Sequence, residues 1–332
     1  IKNFFRKCWS INPKDRPSFN EIVDELRKDV FKEWMNVTDR DFERYYMFKY
    51  HKKAEMHKDP EAMNAYACLL EQGISAPVPS EKVILYYKMA IDEGNDKAMF
   101  NYGRMLYFGD CNVTKDVKEG IRLWEMAVDK GNTNAMSNYA YLLYFGENIK
   151  ENLEKAMTYF NLAVSKGNIF AIHNLAFIYR SGYKTPKNIH KAIEILKLGI
   201  DLNDPESMCS YAEILRFGEC GIPVDKKKAA EFYQMAIDQG NADAMCKYAD
   251  MLRLNEIGKT EKDRAIELYK KAKSLGSEYA QKQLAEMIKN GEADVRDNDE
   301  HFKVINIYIV KFYDGVPIKT PERKYYTKFN NS

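Results

Sequence analysis

Neither sign of charge dominates this sequence: 51 Lys and Arg stand against 49 Asp and Glu, a formal net charge of +2. That balance argues against a strongly basic nucleic-acid binder and against an acidic disordered tail. Long apolar runs are also missing. Apolar runs such as Val83 to Tyr87 and Ile307 to Val310 fall far short of the ~20 residues a membrane helix needs. The 6 Cys stand singly with no CxxC pair, which suits reduced thiols in a cytoplasmic protein better than a secreted disulfide framework. Two N-x-T sequons, at Asn36 and Asn112, are too short a signal to move that compartment. The 5 His (His51, His57, His173, His190 and His301) include no i, i+4 pair and no HExxH segment, so no metal is expected. There is no G-x-S-x-G elbow, and the 17 Gly do not gather into a phosphate cradle. The chain opens at Ile1 without Met or signal peptide and reads as a fragment. What it does have is core material: 45% of residues are hydrophobic and 13% aromatic, which excludes wholesale disorder.

A repeat organises that material. A turn-like pair recurs at Gly94-Asn95, Gly131-Asn132, Gly167-Asn168, Asn203-Asp204, Gly240-Asn241 and Gly276-Ser277, in steps of 36 or 37 residues. Lys58-Asp59 extends the series one step backward, and after each pair from there to Gly240-Asn241 come a small residue and, four positions on, an aromatic or Leu with a small neighbour: Tyr66-Ala67, Tyr102-Gly103, Tyr139-Ala140, Leu175-Ala176, Tyr211-Ala212 and Tyr248-Ala249. The segment closes at Gly73, Gly109, Gly146, Gly182 and Gly218, with Asn255 in the sixth copy. A second segment sets a large residue between small ones, as in Gly120, Trp124, Ala127 or Ala156, Phe160, Ala163. Spacings of three and four put these on one helical face. A Tyr or Trp fills the gap between two helices only where the partner presents Ala or Gly. Each unit therefore reads as helix, glycine-ended turn, helix. One such pair cannot bury its apolar face, so neighbours must stack.

The pattern A-x-x-[YL]-[AG]-x-x-[LY]-x-x-G followed by A-x-x-[YWFL]-x-x-[AG] resembles the Sel-one-like repeat, a relative of the tetratricopeptide repeat. The resemblance covers Asp59 to Gly276, with a partial seventh copy at Tyr279, Ala280, Leu284, Ala285 and Gly291. It implies an all-α fold, a right-handed α-solenoid of antiparallel helix pairs, acting as a scaffold or adaptor for a protein or peptide. Residues 59–291 are thus expected to form the solenoid and 31–58 a linker and capping helix, opened by a capping box at Thr38 to Asp41. In the tail, 292–332, the β-branched and aromatic run Phe302 to Phe312 and the turn signal Asp314-Gly315 leave two readings open, a strand pair or disorder.

Residues 1–30 carry a second resemblance. Cys8, Trp9, Pro13, Arg16, Pro17, Ser18, Phe19, Ile22 and Leu26 are similar to the last two helices of a protein kinase of the tyrosine-kinase-like class. The chain holds no glycine-rich loop, no V-A-I-K lysine, no H-R-D and no D-F-G. We therefore expect no phosphoryl transfer and no cofactor, with ATP relevant only if a kinase domain lies upstream. The alternative is that the chain is the tail of such a kinase.

Other chemistry is sparse. Cys68, Cys209 and Cys246 recur near one face of the first helices and read as half-buried thiols rather than nucleophiles. By analogy with tetratricopeptide superhelices, positions two and five residues after the core Tyr line the inner face. They place Arg104, Tyr107, Tyr141, Tyr144, Phe177, Arg180, Arg216 and Arg253 in a double row of residue types enriched in binding hot spots. Such a row suits an acidic or phosphorylated segment. The competing reading is structural: Glu213 with Arg216 and Asp250 with Arg253 form i, i+3 pairs, and Tyr107 and Tyr144 pack between repeats.

Overall fold

The recurring turn pair joins a left-handed residue to a helix N-cap. The computed structural model describes residues 39–72, 79–258 and 261–294, together with strands Val310–Tyr313 and Val316–Lys319. In it Gly167 has φ +75° and its counterpart Asn203 has φ +59°, a region that Gly enters freely and Asn tolerates. The next residue then caps a helix. The side-chain oxygens of Asn95, Asn132, Asn168, Asp204, Asn241 and Ser277 each accept the backbone N–H three residues on, at 2.7–3.2 Å. The closing position is equally constrained. Gly218 has φ +69°, and a Cβ there would lie 2.6 Å from a Val224 methyl.

The chain divides into two compact units, one formed by residues 1–115 with 308–332 and the other by 116–307. The first holds α1 (Asp39–His57), α2 (Pro60–Glu71), α3 (Ser80–Asp92) and α4 (Asp96–Phe108), then a short 3-10 turn at Asp110–Asn112. Tyr46 of α1 packs on Ala65 and Leu69 of α2. The strands β1 (Val310–Tyr313) and β2 (Val316–Lys319) pair antiparallel with Tyr313 opposite Val316, so of the two readings of the tail these eight residues take the strand pair. The capping box at Thr38 and the kinase-like segment 1–30 lie outside the described residues.

The second unit is built from helix pairs: α5 (Val117–Asp129), α6 (Thr133–Phe145), α7 (Leu153–Ser165), α8 (Ile169–Ser181), α9 (Ile189–Asp201), α10 (Pro205–Phe217), α11 (Lys226–Asp238), α12 (Ala242–Arg253), α13 (Lys262–Ser274) and α14 (Glu278–Lys289). The even-numbered helices are the first helices of successive repeats, and the odd-numbered ones that follow are their partners. Within this unit α5 packs on α6, the partners α7, α9, α11 and α13 each pack against their own first helix and the first helix of the next repeat, and α6 also touches α8 as α10 touches α12. The large residues of the partner helices, Trp124, Phe160, Leu196, Tyr233 and Tyr269, are buried beside Ala127, Ala163, Gly199, Ala236 and Ala272. The core tyrosines Tyr66, Tyr102, Tyr139, Tyr211 and Tyr248 are buried as well. The fold is an α-solenoid of antiparallel helix pairs.

Candidate protein-binding face

In α6, α8, α10 and α12 the last turn of the first helix is tied to the closing turn of the next repeat. Arg216 of α10 reaches Glu256, with Nε 3.1 Å from Oε2 and Nη2 2.5 Å from Oε1. Arg180 of α8 grips Glu219 through Nε (2.9 Å) and also gives Nη1 to Glu213 (2.6 Å). Arg253 of α12 grips Glu292 (3.0 and 3.1 Å) and gives Nη1 to Gln283 (2.9 Å). One repeat earlier the same position is Tyr144, whose hydroxyl donates to the Tyr183 carbonyl and lies 3.0 Å from the Thr185 hydroxyl. The acid stands where an arginine needs it. Glu219, Glu256 and Glu292 follow Gly218, Asn255 and Gly291, whereas the repeat facing Tyr144 has Tyr183 after Gly182.

These contacts correct the i, i+3 expectation. Arg216 and Arg253 pass over Glu213 and Asp250 on their own helices because the carboxylates of the next repeat lie in partly buried ground, where a bidentate pair gains more than on an open helix surface. Glu213 instead takes Lys247 (2.8 Å) and Arg180, and Asp250 accepts from the Tyr269 and Tyr279 hydroxyls. Burial would raise the Glu213 carboxyl, but Lys247 and Arg180 outweigh it and hold it below the usual range. The Arg216 hydrogen bond does the same for Glu256.

The eight residues of the double row therefore fare differently. Tyr107, Tyr144 and Arg216 are buried, so their side chains pack and tie rather than line an accessible surface. In the first unit, Arg104 is held between Glu71 and Asp110. Arg180 and Arg253 are partly buried in their pairs. Phe177 is 45% exposed, and Tyr141 is half-buried with its ring 4.6 Å from that of Phe145. Phe145 in turn stacks on Tyr183, which is 49% exposed, at 5.8 Å. Tyr183 and Phe145 were missed because they fall at the closing turn rather than two or five residues after the core Tyr. Their recurrence as large apolar residues flanking the closing glycine, with Phe217 and Leu254 in later repeats, is the signal that finds them.

What the first helices of the second unit leave accessible is thus graded. Repeats three and four offer aromatic rings and amides: Tyr141, Phe177, Asn138 and Asn174. Repeats five and six offer carboxylates: Glu206, Glu213, Asp243 and Asp250. The thiols take no part in this surface. Burial pushes those of Cys68 and Cys209 up to about 12 and that of Cys246 to about 11, leaving them protonated and poorly nucleophilic at neutral pH. Among the described residues no helix is long and apolar enough to cross a membrane, and no group of three His, Cys, Asp or Glu could hold a metal.

The Sel1 repeat family model matches residues 60–95, 96–132, 133–168, 169–204, 205–241 and 242–277, and the chain belongs to that family. Among solved structures the chain is similar to a Sel1 repeat protein from Oxalobacter formigenes, with 23% identity and a TM-score of 0.63 over 70% of this chain and 95% of that one. It is also similar to a protective antigen of uropathogenic Escherichia coli displaying an SLR fold (17% identity, TM-score 0.43, 88% and 72% covered). A third similar structure is yeast Tom70 (18% identity, TM-score 0.49, 87% and 61% covered). The likeness to the Oxalobacter formigenes protein is one of fold. No curated protein matches the chain. Sel1 repeats typically mediate protein–protein interaction, and the fold is generally non-catalytic.

Proposed function

We propose that the chain is a non-catalytic adaptor that holds a protein partner against the first helices of repeats three to six. The observation that supports this is the exposure of Phe177, 45%, at the position equivalent to Tyr141, whose ring joins Phe145 and Tyr183 in a cluster. Exposed aromatics presented by rigid helices bury large areas at little entropic cost, which is why they anchor interfaces. Asn138, one helical turn before Tyr141, makes no hydrogen bond among the described residues, so its amide can pair with a partner's backbone.

An acidic or phosphorylated partner, the chemistry suggested by the arginine row, is less well supported. It would have to displace Glu219, Glu256 and Glu292 from Arg180, Arg216 and Arg253. Site-specific photo-crosslinking tests the reading. A benzophenone side chain at position 177 captures the partner, while one at position 198, exposed on the partner helix α9, does not. Capture from position 198 alone contradicts it.

A further inference from the structure

The proposed adaptor surface has a polarity that selects its occupant. Resting on that reading, we propose that the first-helix face of repeats three to six binds an extended, basic segment of a partner protein. An aromatic or aliphatic residue of the segment sits on Tyr141 and Phe177, and its Lys or Arg residues face Asp243 and Asp250.

The argument is one of charge complementarity. Among the described residues, the first-helix carboxylates Glu206, Glu213, Asp243 and Asp250 of repeats five and six share their face with Lys247, Arg216 and Arg253 and with Arg180 of repeat four; Glu213 takes Lys247 and Arg180, and Lys247 also feels Asp243. Arg180 is further committed to Glu219, Arg216 is buried against Glu256, and Arg253 is held by Glu292. Glu206 stands 3.7 Å from His173 Nδ1, while the Nε2 of that ring is bound to Asp204. Asp250 accepts from two tyrosine hydroxyls, with the buried Arg216, itself tied to Glu256, acting on it from nearby. Asp243 is exposed near the N-terminus of α12. The face therefore keeps an excess of negative charge in repeats five and six, beside an aromatic half whose one arginine, Arg180, is given to Glu213 and Glu219.

Length follows from the packing. Neighbouring helices lie ~8–10 Å apart, so crossing from repeat three to repeat six spans roughly 25–30 Å. An extended chain covers that distance with about eight or nine residues at ~3.3 Å each. Asn138 and Asn174 lie in the same register, one repeat apart, where such a backbone would pass; Asn174 gives its Nδ2 to the Phe170 carbonyl, which leaves its Oδ1 to accept. The cationic residues lie at one end of the segment and the apolar anchor at the other, so the fit is directional.

Fluorescence anisotropy on the full chain tests this with labelled nonapeptides that share a Phe-containing half. They differ in the other half, which carries Lys and Arg, Ser, Glu, or phosphoserine. The basic peptide is expected to bind at least about tenfold tighter than the Ser peptide, with an affinity that falls as salt rises. Phe177→Ala should weaken it several-fold, as should the Asp243→Asn/Asp250→Asn double variant. Only the double variant should flatten the salt dependence, and Leu198→Ala on the opposite helix should change nothing. All these positions are partly or fully exposed, and circular dichroism verifies that the variants keep their helices. Tighter binding of the Glu or phosphoserine peptide with the same sensitivity to Phe177→Ala overturns the charge assignment and leaves the adaptor face standing. Affinities indifferent to Phe177→Ala, or no binding by any peptide, overturn the inference. Crosslinking at position 177 then decides separately whether the face binds a folded partner.

Discussion

Gly199 on α9 and Ser207 on α10 exchange volume across a repeat joint. A Cβ placed on Gly199 would lie 2.0 Å from the Ser207 hydroxyl oxygen and 2.7 Å from its Cβ. At the equivalent joints the pair is Ala163 with Ala171 and Ala236 with Ala244, all fully buried. One joint thus moves a side-chain increment from the first partner to the second, in a gap that admits no more. Gly199→Ala alone is expected to destabilise the chain by about 1–3 kcal/mol through overpacking. Adding Ser207→Ala should recover most of that loss, as measured by urea denaturation in a double-variant cycle. A double variant no more stable than Gly199→Ala contradicts the exchange.

The Arg216–Glu256 tie carries a pH signature. Its carboxyl is held below the ordinary value by the Arg216 hydrogen bond. A depressed folded value contributes stability that is present above the unfolded carboxylate value of about 4.3 and lost as pH falls through the folded one. Glu256→Gln leaves Arg216 buried without a counter-charge, at a cost of roughly 3 kcal/mol at neutral pH. The stability difference between wild type and Glu256→Gln should be level from neutral pH to about 5 and shrink as acid neutralises Glu256 itself. A difference that grows in acid would contradict the sign.

The repeat, its boundaries and its core were legible because they rest on local requirements. A left-handed residue before an N-cap forces Gly or Asn and then Asn, Asp or Ser, and a fixed face forces the small–large–small spacing. Tyr66, Trp124 and Phe160 could be placed in the core from position alone. The fate of Arg216 and Arg253 could not, because their carboxylates stand 40 and 39 residues away and a helix-face reading offers only neighbours three or four residues distant. The matched acid after each closing turn was present in the sequence, but only the stacking gives it a partner. Tyr144 was ambiguous for the same reason, since position names the row without saying whether the next repeat covers it.

That distinction separates two kinds of loss-of-binding variant. Tyr144 is fully buried, so Tyr144→Ala is expected to cost about 3–5 kcal/mol of stability and to lose binding through unfolding. Phe177→Ala, at an exposed site, should shift stability by no more than about 0.5–1 kcal/mol while weakening the partner. Thermal melts of both variants, run beside the binding assay, check this. A strongly destabilised Phe177→Ala would move that ring into the core.

Amide hydrogen exchange on residues 116–294, with and without the bound basic nonapeptide, tests the central claim most directly. The account predicts that added protection concentrates in α6, α8, α10 and α12 and leaves α7, α9 and α11 unchanged. Protection confined to the partner helices, or spread evenly over both sets, would contradict a binding surface made by the first helices.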